Sequence, residues 1–194
     1  MSKGRLEAFS DGVIAIIITI MVLELKVPHE PTWAALSELA PIFFCYVLSF
    51  IFVGIYWNNH HHIMHMTHTV TGRIMWANLH LLFWLSLVPF VTEWMGENNF
   101  ATVPVVLYGL LLNMCGFAFF LLSRALVAHL GADSELAVVL GADYKGKLSL
   151  VVYIVGTVVA FVNPYVGFGI YILVAVLWFI PDRRIENSVN EHQI

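Results

Sequence analysis

The chain has 194 residues, of which 60% are hydrophobic and only 11% are charged, whereas soluble domains carry about 25% charged residues. Its mean hydropathy of +0.83 leaves too little polar surface to cover a water-soluble globule, and its net charge of −4 excludes a basic surface for nucleic acid. The apolar runs show no alternation of period two, which favours helices. The composition therefore predicts an all-α polytopic membrane protein.

Six apolar stretches predict six transmembrane helices, in a single domain that covers residues 1–194. A helix needs about 20 residues to cross a hydrocarbon core of about 30 Å, and the second, third and fourth stretches meet that length. The fifth and sixth are shorter and are separated by Asn163-Pro164, which predicts a tight helical hairpin. The predicted spans are residues 9–25, 36–57, 74–92, 101–122, 148–162 and 165–180.

The lysines and arginines of the predicted loops indicate the orientation, because cytoplasmic loops carry an excess of both. Lys26 lies alone on one side, and the other side carries eight positive residues: Lys3, Arg5, Arg73, Arg124, Lys145, Lys147, Arg183 and Arg184. We therefore expect a multi-pass protein of the cell (inner) membrane with both termini in the cytoplasm. A cleaved signal peptide is the competing interpretation of the first stretch, but Glu7 and Asp11 interrupt it and no small-x-small site follows Leu23.

The first predicted helix is unusually polar for a membrane span. A charged group at the centre of such a helix costs about 2.5–3.5 kcal/mol, so it normally faces protein or water. This pattern predicts a helix that the other five shield from lipid and that lines a cavity or pore. The alternative is that residues 5–11 lie among the lipid headgroups and anchor the helix end. The polar positions are Arg5, Glu7, Ser10, Asp11, Thr19 and Glu24.

Asp11 has no donor side chain three or four residues away on its own helix, so its partner must come from another helix. The predicted topology brings the end of the second helix and the start of the third to the same side of the membrane. We therefore predict a buried polar network that joins Ser10 and Asp11 to amides and imidazoles. The candidates are Asn58, Asn59, His60, His61, His62, His65, Asn78 and His80.

The histidines also allow a metal interpretation, because His61, His65 and His68 share one helical face at a spacing that can ligate a metal. No cysteine joins them and few acidic residues lie near, so hydrogen bonding at the membrane interface is the favoured role. A haem would need histidines facing each other at mid-membrane, and His80 is the one candidate at any depth. We expect neither a metal nor another cofactor.

Three motifs resemble those of one family. Arg5-x-x-x-Phe9-Ser10-Asp11-Gly12 opens the first helix and is followed by Ala15-Ile16 and Thr19. The second helix closes on Tyr56-Trp57-Asn58-Asn59-His60-His61, and the third contains Trp76-Ala77-Asn78-Leu79-His80. Over essentially its whole length the chain resembles the bacterial and lysosomal potassium channels that lack a TVGYG filter.

The resemblance implies a potassium-selective channel whose pore is lined by the first helix. Animal members carry two six-helix repeats and dimerise, whereas bacterial members carry one and form tetramers, so a single motif implies a homotetramer. Lysosomal members also pass protons. By resemblance, Arg5, Phe9, Ser10 and Asp11 belong to the structural network.

The same resemblance assigns a role to the apolar stripe of the first helix. It implies that Ile16, Ile20 and Leu23 form a hydrophobic constriction and that Thr19 contributes to the preference for potassium over sodium. From spacing alone, this stripe is typical of a packing face, and Thr19 would bond to the Ala15 carbonyl.

Two further function classes stay open at the level of sequence. A proton-coupled secondary transporter would use Asp11 and the histidine cluster as a relay, although no second copy of the first-helix pattern indicates inverted repeats. A small membrane enzyme would use the histidines for metal chemistry. We predict a channel rather than an enzyme, with permeant potassium ions, membrane lipid and further copies of itself as its partners.

The topology is testable by cysteine labelling. We expect Asp133→Cys, in the loop that carries three positive residues, to react with an impermeant maleimide only after the membrane is opened. Glu30→Cys, in the loop of Lys26, is the matched control and should react in intact cells. Labelling of Asp133→Cys in intact cells would contradict the orientation.

Overall fold

The computed structural model describes residues 2–141 and 144–179, and in these ranges all the regular structure is helical. The predicted span end at Ile180 and the positive residues Arg183 and Arg184 lie outside the described residues. The helices are α1 (Lys3–Leu23), α2 (Trp33–Glu38), α3 (Ala40–His65), α4 (Gly72–Ser86), α5 (Val88–Glu97), α6 (Thr102–Leu130), α7 (Glu135–Leu140), α8 (Tyr144–Ala160) and α9 (Pro164–Phe179).

Four helical stretches are long and apolar enough to cross a membrane, and they match the first four predicted spans: Lys3–Leu23, Ala40–His65, Gly72–Glu97 and Thr102–Leu130. The fifth and sixth predicted spans correspond to α8, with 17 residues, and α9, with 16 residues. Both are shorter than the roughly 20 residues that a perpendicular span needs.

The third predicted span is broken, which the hydropathy profile did not indicate. Helix α4 ends at Ser86, α5 begins at Val88, and Leu87 lies between them. Pro89, in the first turn of α5, has no N–H to continue the bonding of the preceding helix, so the chain starts a new helix there. The two segments still run as one stretch, Gly72–Glu97.

Helices α3 and α6 continue well past the predicted ends at residues 57 and 122. Helix α3 carries its polar end as far as His65, and α6 reaches Leu130 before Gly131 stops it at φ +101°. Hydropathy marks where a helix leaves the apolar layer, whereas the helix itself ends only at a residue that breaks it. Helices α3 and α6 therefore extend beyond the apolar stretches that marked them.

The predicted hairpin is present, and its turn explains its shape. The Asn163 side chain accepts hydrogen bonds from the backbone N–H groups of Tyr165 and Val166, at 3.1 and 3.2 Å. With Pro164 as the first helical residue, this caps α9. The helices then approach closely, because a Cβ on Gly167 would lie 2.6 Å from Ala160 Cβ. Small residues thus set the α8–α9 distance.

Helix α6 packs against α4, α5, α8 and α9. Helix α1 packs against α3, α4 and α5. A buried hydroxyl cluster joins three helices, since Ser49 Oγ lies 2.7 Å from Thr92 Oγ1 and 2.9 Å from Tyr108 Oη. These bonds satisfy polar groups that lipid or core packing would otherwise leave unpaired.

The hairpin packing gives a stability prediction with a control on the same helix. Gly167→Ala is expected to destabilise the protein by about 1–3 kcal/mol, because its methyl group has no room against Ala160 and the Gly156 carbonyl. Gly169→Ala faces open space and should be neutral or stabilising, since alanine favours a helix. Thermal unfolding in detergent measures both, and equal melting temperatures would contradict the close packing.

Candidate functional site

Helix α1 has two faces of different exposure. The buried face consists of Leu6, Ser10, Ile14, Ile17 and Met21, which recur every three or four residues and so share one side of a helix. This side contacts α3, α4 and α5. The opposite side is left largely uncovered by the described part of the chain.

That opposite side, which we call the open face, carries Ile16, Thr19, Ile20 and Leu23. Ile16 is 57%, Ile20 40% and Leu23 77% exposed, and Thr19 is exposed as well. No helix in the described part of the chain covers them. The three apolar residues recur once per turn over about 10 Å of helix axis.

The Thr19 hydroxyl is bonded within its own helix. Thr19 Oγ1 donates to the Ile16 carbonyl oxygen at 2.9 Å, three residues back rather than to Ala15 as the sequence suggested. Because this bond uses the only proton of the hydroxyl, the oxygen lone pairs remain available as acceptors. The open face thus presents one polar acceptor between apolar side chains.

A buried chain of hydrogen bonds fixes the opposite side of α1. Asn78 Nδ2 on α4 donates to Ser10 Oγ at 2.9 Å, and His60 Nε2 on α3 lies 2.7 Å from Asn78 Oδ1. Ser10 in turn donates to the Leu6 carbonyl oxygen at 2.8 Å. Ser10 and Asn78 are fully buried and His60 is 1% exposed. The three side chains therefore join α1, α3 and α4.

Asp11 does not take part in this chain of hydrogen bonds. It is exposed, and Oδ1 accepts a hydrogen bond from the indole N–H of Trp57 at 3.1 Å. The sequence predicted an amide or imidazole partner. One residue on from Ser10 is about 100° around the helix, so Asp11 lies beside the buried face and meets the edge of α3. Trp57 was not among the predicted partners of Asp11.

The other predicted members of the network lie elsewhere. Arg5 and Phe9 are on the exposed side of α1 and Asn58 is exposed on α3. His61 is exposed and stacks on Trp57, with ring centroids 6.3 Å apart. His80 accepts the indole N–H of Trp84 at 2.8 Å. Of the predicted candidates, the buried chain of hydrogen bonds therefore contains Ser10, His60 and Asn78, and His61 lies outside it.

The histidine-rich end of α3 is held near the start of α1. Lys3 Nζ donates to the His65 carbonyl oxygen at 3.1 Å and lies 3.7 Å from Glu7 Oε1. The rings of His61 and His65 have centroids 6.0 Å apart. Among residues 2–141 and 144–179, no group of three or more acidic, histidine or cysteine side chains is arranged to hold a metal ion.

The other end of α1 is tied to α5 by charge. Lys26, just beyond α1, hydrogen-bonds Glu97 Oε1 and lies 3.8 Å from Glu93 Oε1. The hydrogen bond to Glu97 raises the pKa of Lys26 above its ordinary value. Because the Lys26 side chain is 65% exposed, this ion pair adds little stability.

The buried chain yields a prediction about assembly of the first three spans. Asn78→Leu should destabilise the fold by about 1–3 kcal/mol or more, because it leaves Ser10 and His60 without their partner. Asn58→Leu makes the same change at an exposed position and is the control, expected to stay near the parent. Thermal unfolding in detergent compares the melting temperatures of the two variants. An Asn78→Leu protein as stable as the parent would show that the buried chain of hydrogen bonds is dispensable.

The residues described above also lie in the part of the sequence that matches a known family. The family described as endosomal/lysosomal potassium channel TMEM175 matches residues 5–89, which contain the open face and the buried chain. A protein called a potassium channel in a Chryseobacterium species is 52% identical over 192 residues, which cover 99% of this chain and 100% of that protein. The endosomal/lysosomal proton channel TMEM175 of Gallus gallus is 31% identical over 109 residues, half of this chain but only 22% of that protein.

A solved structure agrees over nearly the whole fold. The crystal structure of a lysosomal potassium-selective channel TMEM175 homolog from Chamaesiphon minutus superposes with a TM-score of 0.80 at 27% identity. The match covers 92% of this chain and 96% of that one. With a bacterial relative matched from end to end at 52% identity, the chain belongs to the TMEM175 family of ion channels, in the single-repeat form of its bacterial relatives.

Proposed function

We propose that four copies of the chain form a potassium-selective channel whose pore is lined by the open face of α1. One observation carries this proposal: a whole face of a membrane-spanning helix, with Ile16, Thr19, Ile20 and Leu23, is left uncovered while its other face is fixed by hydrogen bonds. A single helix cannot enclose a pore, so several copies must gather around an axis of closed symmetry. The single-repeat form favours four.

Ile16, Ile20 and Leu23 would then stack three apolar rings around the axis. A narrow apolar ring closes a pore by dewetting, without a moving plug. Opening requires the rings to widen until water and ions enter together. The constriction thus acts as the gate.

Thr19 supplies the polar contact between these rings. Its hydroxyl proton is engaged by the Ile16 carbonyl, so four threonine oxygens could offer their lone pairs to an ion or to its water. Oxygen ligands in a ring replace hydration water at a cost that depends on ion size. In this proposal, that ring favours potassium over sodium.

The proposed membrane arrangement has six spans, both termini in the cytoplasm and the cell (inner) membrane as the location. Helices α8 and α9 would be the fifth and sixth spans, at about 25 Å of axis each. Short spans are accommodated by local thinning of the bilayer at modest cost. Residues 1–194 would form a single channel domain in contact with lipid.

In this proposal the protein is not an enzyme and works without a cofactor or bound metal; potassium is its cargo. The competing carrier would move protons through Asp11 and the histidine cluster. Unitary current steps from purified protein in bilayers would distinguish a channel from a carrier, whose coupled flux shows no such steps.

The pore assignment is testable with two substitutions on the open face. Ile16→Asn is expected to raise leak current severalfold, because a polar side chain wets the narrowest ring. Thr19→Ala should mainly shift the reversal potential in asymmetric potassium and sodium toward that of sodium. Ile154→Asn on α8 is the control, since Ile154 is 55% exposed and Ile16 57%.

Currents and reversal potentials of the three variants decide the matter. The control should match the parent in both quantities. If Ile16→Asn leaves conductance unchanged and Thr19→Ala leaves selectivity unchanged, α1 does not line the pore.

A further inference from the structure

A groove runs between α1 and the α4–α5 break, with a cavity volume of about 390 Å³. Its walls are largely apolar, with Val13, Ile16 and Ile20 on one side and Phe90 on the other. Ser86 lies where α4 ends, and Glu24 is the one charged residue of the lining. The groove is open, since Ile16 and Phe90 are 57% and 59% exposed.

The length of the groove matches one leaflet of a bilayer. From Val13 to Glu24 the helix rises over eleven residues, about 17 Å. Half of a hydrocarbon core of about 30 Å is about 15 Å. An extended acyl chain that starts at the membrane surface would therefore fit along the groove, with its headgroup at the Glu24 end.

The charges at that end favour a cationic headgroup. The Glu24 carboxyl lies beside that of Glu93, and Glu97 is close by. One positive group, Lys26, serves both Glu93 and Glu97. Glu24 and Glu93 lie side by side and can share one proton, but together with Glu97 they still outweigh the single amine of Lys26. The mouth of the apolar groove therefore keeps a negative charge, which complements an ammonium group.

We propose that this groove holds an acyl chain of a phospholipid whose headgroup ends in an ammonium group, such as phosphatidylethanolamine, and that Glu24 binds the ammonium. The inference extends the proposed function, because Ile16 and Ile20 line both the groove and the proposed constriction. An acyl chain in the groove contacts the sides of Ile16 and Ile20 that face Phe90, and so supports the constriction from the side. The lipid composition of the membrane then influences how readily the constriction widens.

Native mass spectrometry of the protein with phosphatidylethanolamine or phosphatidylglycerol tests the binding directly. We expect the parent to retain phosphatidylethanolamine preferentially. Glu24→Gln should reduce that retention about three- to fivefold, the effect of one half-exposed ion pair, without changing retention of phosphatidylglycerol. Glu38→Gln, which removes an exposed acid outside the groove, is the matched control. Ser86→Trp fills the groove and should abolish specific retention of both lipids.

Two results would overturn the proposal. Equal retention of phosphatidylethanolamine by the parent and Glu24→Gln would show that the carboxylate binds no headgroup. A parent without retained lipid, together with a cross-link from Ser86→Cys to an adjacent subunit, would show that a second copy of the chain fills the groove. Because the readout is lipid mass rather than current, a protein that binds the lipid but does not conduct would refute the pore and not the lipid site.

Discussion

The rotation of α1 about its own axis is the constraint on which the rest of the structure depends. Ser10 must face α4, because a buried hydroxyl and the buried Asn78 amide both need a partner. A rotation of α1 about its axis by one residue, about 100°, would put Phe9 or Asp11 in the place of Ser10. The hydrogen bonds from Ser10 through Asn78 to His60 would then be broken. One small hydroxyl thus determines which side of α1 packs and which stays open.

The rest of α1 follows from that rotation. With Ser10 inward, Ile14, Ile17 and Met21 complete the packed side, while Ile16 and Ile20 face outward. Asp11 comes to the border between the two sides, where the Trp57 indole holds it without burying its charge. The polar motif and the apolar open face are therefore two consequences of one orientation.

Much of this arrangement could be predicted from sequence, where the signal is local. Apolar length marked the four long spans, and Asn163-Pro164 marked the hairpin, because a capping side chain and a proline act within a few residues. The rarity of polar groups in the first span indicated that Ser10 has a buried partner, and Asn78 was among the candidates. Pro89 could have signalled the α4–α5 break, but it was outweighed by the apolar run around it.

The partner choices needed tertiary packing. His60 and His61 are neighbours of the same residue type, and only the tertiary structure, in which the His60 ring meets Asn78 of α4, puts His60 inside and leaves His61 exposed. Trp57 was not predicted as a donor because it was counted as part of an apolar stretch. Its indole N–H is nevertheless a hydrogen-bond donor. The groove beside α1 could not be predicted either, since it lies between α1 and the α4–α5 break, which the sequence did not indicate.

The most direct measurement is a scan of single cysteines along α1, with block of current by a thiol-reactive ion as the readout. If the open face lines the pore, substitutions at Ile16, Thr19 and Ile20 will make the current sensitive to the reagent. Substitutions at Ile17 and Met21, on the packed side, will not. Sensitivity at Ile17 and Met21 with none at Ile16, Thr19 and Ile20 would place a different surface along the pore and contradict the account.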